Sequence, residues 1–180
     1  MRAIVKAIDR LNEYVGRAVS WLVLTMVFTT FLVAVLRYGF SLGWVWLQES
    51  YVWMHGTIFM VAAGYTLLHD GHVRIDIFYS TVRERTRALI NLFGVFFLLF
   101  PSLAVIWWGA LPYVVLSWER LETSREAGGL PGLFLWKTCM LIFVVLLALQ
   151  GLALAIRSLM TLRGEDADGE GQEQEAGARS

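Results

Sequence analysis

Two histidines, two aspartates and an arginine crowd into the stretch GYTLLHDGHVRIDIFY, residues 64–79. His69, Asp70, His72 and Asp76 are residue types that ligate metals or pass protons, and ligation needs three or four of them converging on one point. No cysteine joins them and their spacing follows no zinc pattern. Asp70-Gly71 is also a turn signal, so a second reading has the chain leaving a membrane helix for water here. A third reading is a docking surface for a partner protein, because His72 and Asp76 share one face if the helix continues. Elsewhere the polar residues stand singly in or beside apolar runs: Glu49, His55, Lys137 and Gln150. In a membrane such residues are functional candidates by default. Glu49 could pair with Lys137 or with Arg37, and Lys137 is expected to snorkel to water. Cys139 is the only cysteine, so no intrachain disulfide can form. With no nucleophile–base pairing and no GxxxxGK[ST] loop, no catalytic, substrate-binding or metal-ligating residue is assigned.

The elements that must position these residues are membrane helices. Of the 180 residues, 57% are hydrophobic and 17% charged, against about 45–50% and about 25% in a soluble domain. A helix needs about 20 apolar residues to cross a hydrocarbon core of about 30 Å. Four runs qualify, at about 18–36, 50–68, 88–118 and 133–156. The third holds Pro101 and Pro112 and is about 46 Å long at 1.5 Å per residue, so tilt and proline kinks must absorb the excess. The first run is expected to be retained rather than cleaved, because no small-x-small site precedes Arg37. The chain is thus read as an all-α integral membrane protein, a four-transmembrane-helix bundle occupying 17–160.

Ile4, Ile8, Leu11 and Val15 recur at helical spacing with charges between them. Residues 1–16 are therefore expected to form an interfacial amphipathic helix lying on the headgroups, or else the leading turns of span one. Residues 161–180 are expected to be an acidic disordered tail. Six acids lie in the last 16 residues against Arg179 alone, leaving fourteen basic and nine acidic side chains before them. Ten Lys and Arg residues flank one side of the bundle, and only Arg37, Arg120 and Arg125 the other. That bias places both termini in the cytoplasm. Ala148, Gly151 and Ala155 form a small-residue stripe on span four where another helix can approach.

The segment WLQESYVWMHGTIFMVAAGYTLLHDGHVRIDIFY (46–79) resembles the second helix and following loop of the small membrane subunit of tripartite ATP-independent periplasmic (TRAP) transporters, the DctQ type. The matching positions are Trp46, Glu49, Gly64, Gly71, His72, Val73 and Asp76. Gln48 stands where that family often has a second acid. Residues 117–159 resemble a mannitol/chloroaromatic-type branch, through an outer loop with Ser, Glu and Gly-Gly-Leu-Pro at 128–131, then Lys137 and Leu-Gln-Gly at 149–151. The resemblance covers about residues 5–160. It implies a subunit of the bacterial inner membrane, without its own cofactor, that braces a large DctM-type permease subunit. It further implies that sodium and substrate sites lie on that large subunit and that a DctP-type periplasmic binding protein delivers an organic acid. Membrane lipids are the other expected partner, and nucleic acid is not expected to be one. Glu49, His72, Asp76, Lys137, Gly151, Ala155 and Trp46 are the interface or structural candidates. Two rival classes are a haem-bearing anchor subunit of a quinone-linked oxidoreductase, for which only His55 lies within a span, and an interfacial lipid enzyme using residues 69–76.

Overall fold

Each apolar run becomes a helix longer than the run itself. The computed structural model describes residues 1–72 and 82–164. Among the described residues every regular element is helical. In lipid this follows from the need of each backbone amide for a partner within its own segment. Among the described residues four helical stretches are long and apolar enough to cross a membrane: Arg2–Phe40, Val45–Leu68, Glu84–Glu119 and Leu133–Arg163.

Helix α1 (Arg2–Phe40) is continuous. Residues 1–16, read from the sequence either as an interfacial helix or as the leading turns of span one, join that span with no break in the helix. The buried stripe is also rotated from the expected one. Val5, Ile8, Asn12 and Gly16 are buried, whereas Ile4 and Leu11 are exposed. An amphipathic pattern does not distinguish a lipid surface from a protein neighbour, and here the neighbour is the last helix of the chain. α1 ends at Ser41, in the left-handed region at φ 55°.

Span two is α2 (Val45–Val61) and α3 (Ala63–Leu68), interrupted at Ala62. The Ala62 carbonyl accepts both the Thr66 N–H (2.9 Å) and the Thr66 hydroxyl (3.0 Å). Asp70 takes φ 53°, and the Gly71 N–H returns to the Thr66 carbonyl at 2.8 Å. That pair of features is a Schellman-type stop.

Span three is α4 (Glu84–Phe93), a π-helical turn (Gly94–Leu99) and α5 (Phe100–Glu119). Proline removes an N–H and crowds the carbonyl four residues back. The helix meets Pro101 by widening in the turn just before it, where the Phe100 N–H reaches the Val95 carbonyl.

Helix α6 (Leu133–Arg163) runs between Gly132 and Gly164, both left-handed. It packs against all the other spans. Its most apolar stretch is 44% buried, that of α1 not at all. Three apolar clusters follow it from end to end: Val61, Cys139 and Leu146; Leu103, Val144 and Leu147; and Val5, Ile8 and Ala153.

Candidate functional site

The polar side chains collect at the two ends of the bundle. At the end carrying the N-terminus and the end of α6, a hydrogen-bonded chain crosses from α1 to α6. Arg157 pairs with Asp9. Gln150 Nε2 donates to the same Asp9 oxygen at 3.1 Å, and Asn12 Nδ2 donates to Gln150 Oε1 at 2.8 Å. Asn12 and Gln150 are each 1% exposed. A carboxylate can only accept, so Asp9 turns the amide nitrogen of Gln150 toward itself. Gln150 then offers its oxygen to Asn12, which must answer with nitrogen. One charge therefore orients two buried amides in sequence. Asn12 Oδ1 has no partner among the described residues and faces α3, where a Cβ on Gly64 would overlap it.

The same stretch of α1 grips α3 again. Glu13 binds Arg17 at 2.6 Å and His69 Nε2 at 2.7 Å. The His69 ring lies 4.4 Å from that of Tyr65, which occupies the space a side chain at Gly16 would take. His69 is thus spent on a helix contact. His72 lies exposed beyond the turn. Val73 and Asp76 lie outside the described residues. Among the described residues no group of three His, Cys, Asp or Glu side chains is placed to hold a metal ion.

At the other end, Glu49 organises the α5–α6 connection. The Ser124 hydroxyl donates to one carboxylate oxygen, and the Leu130 N–H donates to the other at 2.7 Å. The Ser124 N–H closes the loop onto the Leu130 carbonyl at 3.1 Å. Glu49 therefore pairs with neither Lys137 nor Arg37. Lys137 does not snorkel either: it is 6% exposed, bound to Glu122 and 3.9 Å from the centre of the Tyr113 ring. Burying an ammonium requires such a counter-charge. Ser117 Oγ donates to the same Glu122 oxygen at 2.7 Å. The hydrogen bond from Lys137, followed by that from Ser117, holds the Glu122 carboxyl below its ordinary range. Indole donors complete this end. Trp118 Nε1 reaches Thr138 Oγ1, and Trp136 Nε1 reaches the Trp53 carbonyl, each at 2.9 Å, with Trp53 and Trp136 stacked.

Of the other sequence candidates, Trp46 is exposed in the first turn of α2. Gly151 receives Leu99 of the π turn, where a Cβ would collide, and Ala155 is fully buried. The small-residue stripe thus meets a neighbour within the chain. His55 lies on the exposed face of α2. Sequence reasoning did not single out Asp9, Asn12, Glu13, Glu122 or Ser124. One signal was present: Asn12 continues the spacing of Val5 and Ile8, so an amide occupies a position of the apolar stripe.

The arrangement can fasten helices and shape a loop. Compared with known proteins, the chain matches over residues 7–161 the family model described as Tripartite ATP-independent periplasmic transporters, DctQ component. No curated protein and no solved structure gives a match. The matched family is one of transporter components rather than enzymes. Four helices able to cross a membrane, together with a match covering most of the chain, place it: the chain belongs to the DctQ component family of tripartite ATP-independent periplasmic transporters.

Proposed function

We propose that the chain is the small subunit that braces the large permease subunit of a sodium-coupled, binding-protein-dependent importer of an organic acid. It acts from the bacterial inner membrane with both termini in the cytoplasm. The observation that carries this reading is the use made of its polar side chains. Asp9, Asn12, Gln150 and Arg157 tie the first helix to the last, and Glu49, Glu122 and Lys137 tie the far loop to its helices. Groups spent on such joints stiffen a bundle. The sodium and substrate sites then belong to the large subunit, and the binding protein selects the organic acid. The ten-to-three bias of Lys and Arg supports the orientation.

Reconstitution tests the reading. The chain, the large subunit and the binding protein are placed in vesicles with an inward sodium gradient, and organic-acid uptake is followed. Uptake should require all three, and the chain should co-purify with the large subunit. Full uptake without the chain would overturn the proposal. Sidedness is checked with Cys139 replaced. Cysteine at Gly128 should react with an impermeant thiol reagent in intact cells, and cysteine at Thr81 only once the membrane is opened. The reverse pattern would invert the orientation.

A further inference from the structure

At the end of the bundle that holds the α5–α6 connection, Arg37 has no counter-charge. Glu49, the partner the sequence offers it, is taken up by Ser124 and the Leu130 N–H. Among the described residues Arg37 meets no other carboxylate. It lines instead an open cavity of about 280 Å³, together with Ser41, Leu42, Gly43, Val45 and Gln48. At about 30 Å³ for each water, that is room for a phosphate group and the waters around it.

The helix ends explain why the cavity forms. α1 stops where Ser41 enters the left-handed region, and α2 starts at Val45. Arg37 and Ser41 are four apart and Val45 and Gln48 three apart, so each helix brings one short face to the gap. Gly43 has no side chain to fill it, and a Cβ there would stand 3.8 Å from Gln48 Nε2. The lining can therefore donate from a guanidinium, a hydroxyl and a carboxamide. None of the lining residues is acidic, and the first turn of α2 holds no acid either. The cavity is thus positive, and a guanidinium fork fits a phosphate with two parallel hydrogen bonds.

Depth in the membrane selects the source of that phosphate. Arg17 and Arg37 bound the uncharged run of α1 and are twenty residues apart on one uninterrupted helix, or about 30 Å. That equals the thickness of a hydrocarbon core, so Arg37 stands where acyl chains give way to headgroups. Tyr38, Phe40, Trp44 and Trp46 are exposed around it, as aromatic rings are in that layer.

We propose that the Arg37 cavity binds the phosphate of a phospholipid from the leaflet at the loop end of the bundle. Native mass spectrometry of the purified chain in detergent tests this, with dioleoylphosphatidylglycerol as the probe. Dioleoylglycerol supplies the tails without the phosphate, and glycerol 3-phosphate the head without the tails. One phosphatidylglycerol should be retained, at least tenfold more strongly than either fragment. Arg37→Gln should lower its occupancy about tenfold and Arg37→Lys, which keeps the charge and loses the fork, about threefold. Arg125→Gln should leave it unchanged. Equal retention of dioleoylglycerol, or full occupancy in Arg37→Gln, would overturn the site. Glycerol 3-phosphate binding as tightly as the whole lipid would mark a site for a water-borne anion and overturn the assignment to lipid.

Discussion

The two ends of the bundle use similar side chains for different tasks. At the terminal end the linked residues lie 138, 141 and 148 positions apart, and the amides that join them are buried. Nothing local could bring α1 and α6 together there, so the polar chain acts on the closure and register of the whole bundle. At the loop end Glu122 and Lys137 are 15 positions apart, and Glu49 binds a hydroxyl and a backbone N–H of one connection. Those contacts shape a loop between helices that α6 would pack in any case. The difference teaches that a polar residue in a membrane bundle is weighed by what its loss disconnects. The terminal end should accordingly be the more costly to disturb.

The largest effect is expected at Gly64. A leucine there would strike the Asn12 amide and come within about 3 Å of the Leu146 carbonyl, so both α1 and α6 must move. Gly64→Leu should destabilise the bundle by about 3 kcal/mol, in the upper range for overpacking, read as unfolding in a detergent titration. Gln150→Leu comes next. It leaves the buried Asn12 amide donor with only its long 3.4 Å bond to the Ile8 carbonyl, and losing the better partner costs about 1–3 kcal/mol. Adding Asn12→Leu should recover part of that loss, because replacing both partners by apolar groups removes the weakly held donor. A double variant worse than Gln150→Leu alone would show that the network is needed for register.

Smaller effects belong to the loop end. Glu49→Ala removes the acceptor of the Leu130 N–H, so hydrogen exchange at 122–131 should quicken while the midpoint for the helices shifts little. A large fall in that midpoint would erase the contrast between the ends. The smallest effect is a pH dependence at Glu122. Its carboxyl is held below the ordinary value of 4.5, first by the hydrogen bond from Lys137. A depressed carboxyl adds stability that is present above the unfolded value and is lost as pH falls through the folded one. Stability should therefore be flat near neutrality and fall below about pH 4.5, and Glu122→Gln should flatten that acid limb. Stability lost on raising the pH from 5 to 8 would contradict the assignment.

The spans were legible because apolar length is a local property, and the stop at Asp70-Gly71 because turn chemistry is local too. Helix ends were less so: the N-terminal extension of α1 and the C-terminal extension of α6 carry Asp9 and Arg157, which pair with each other. The N-terminal stripe shows why. Ile8 was placed correctly, but Ile4 and Leu11 face outward while Val5 and Asn12 face α6, and a moment cannot tell lipid from protein. The polar partners were legible only in part. Gln150 stood out as a polar residue in a span, but Asp9 was only one of the charges of an amphipathic segment and Asn12 was not singled out. Lys137 looked exposed because its counter-charge, Glu122, sits in a loop whose path depends on Glu49, 73 residues away. Such pairings are properties of the assembled fold.

The central claim is that this subunit is a brace that stays rigid while its partner works. Locking α1 to α6 tests that directly. Val5 and Ala153 pack in one cluster beside the terminal polar chain. With Cys139 replaced, cysteines at those two positions are joined by oxidation or a short bis-thiol reagent in the reconstituted transporter. Sodium-driven uptake should be the same in the joined and unjoined states. Loss of uptake on joining, reversed by a reducing agent in the oxidised sample, would show that the two helices must move against each other and would contradict the account.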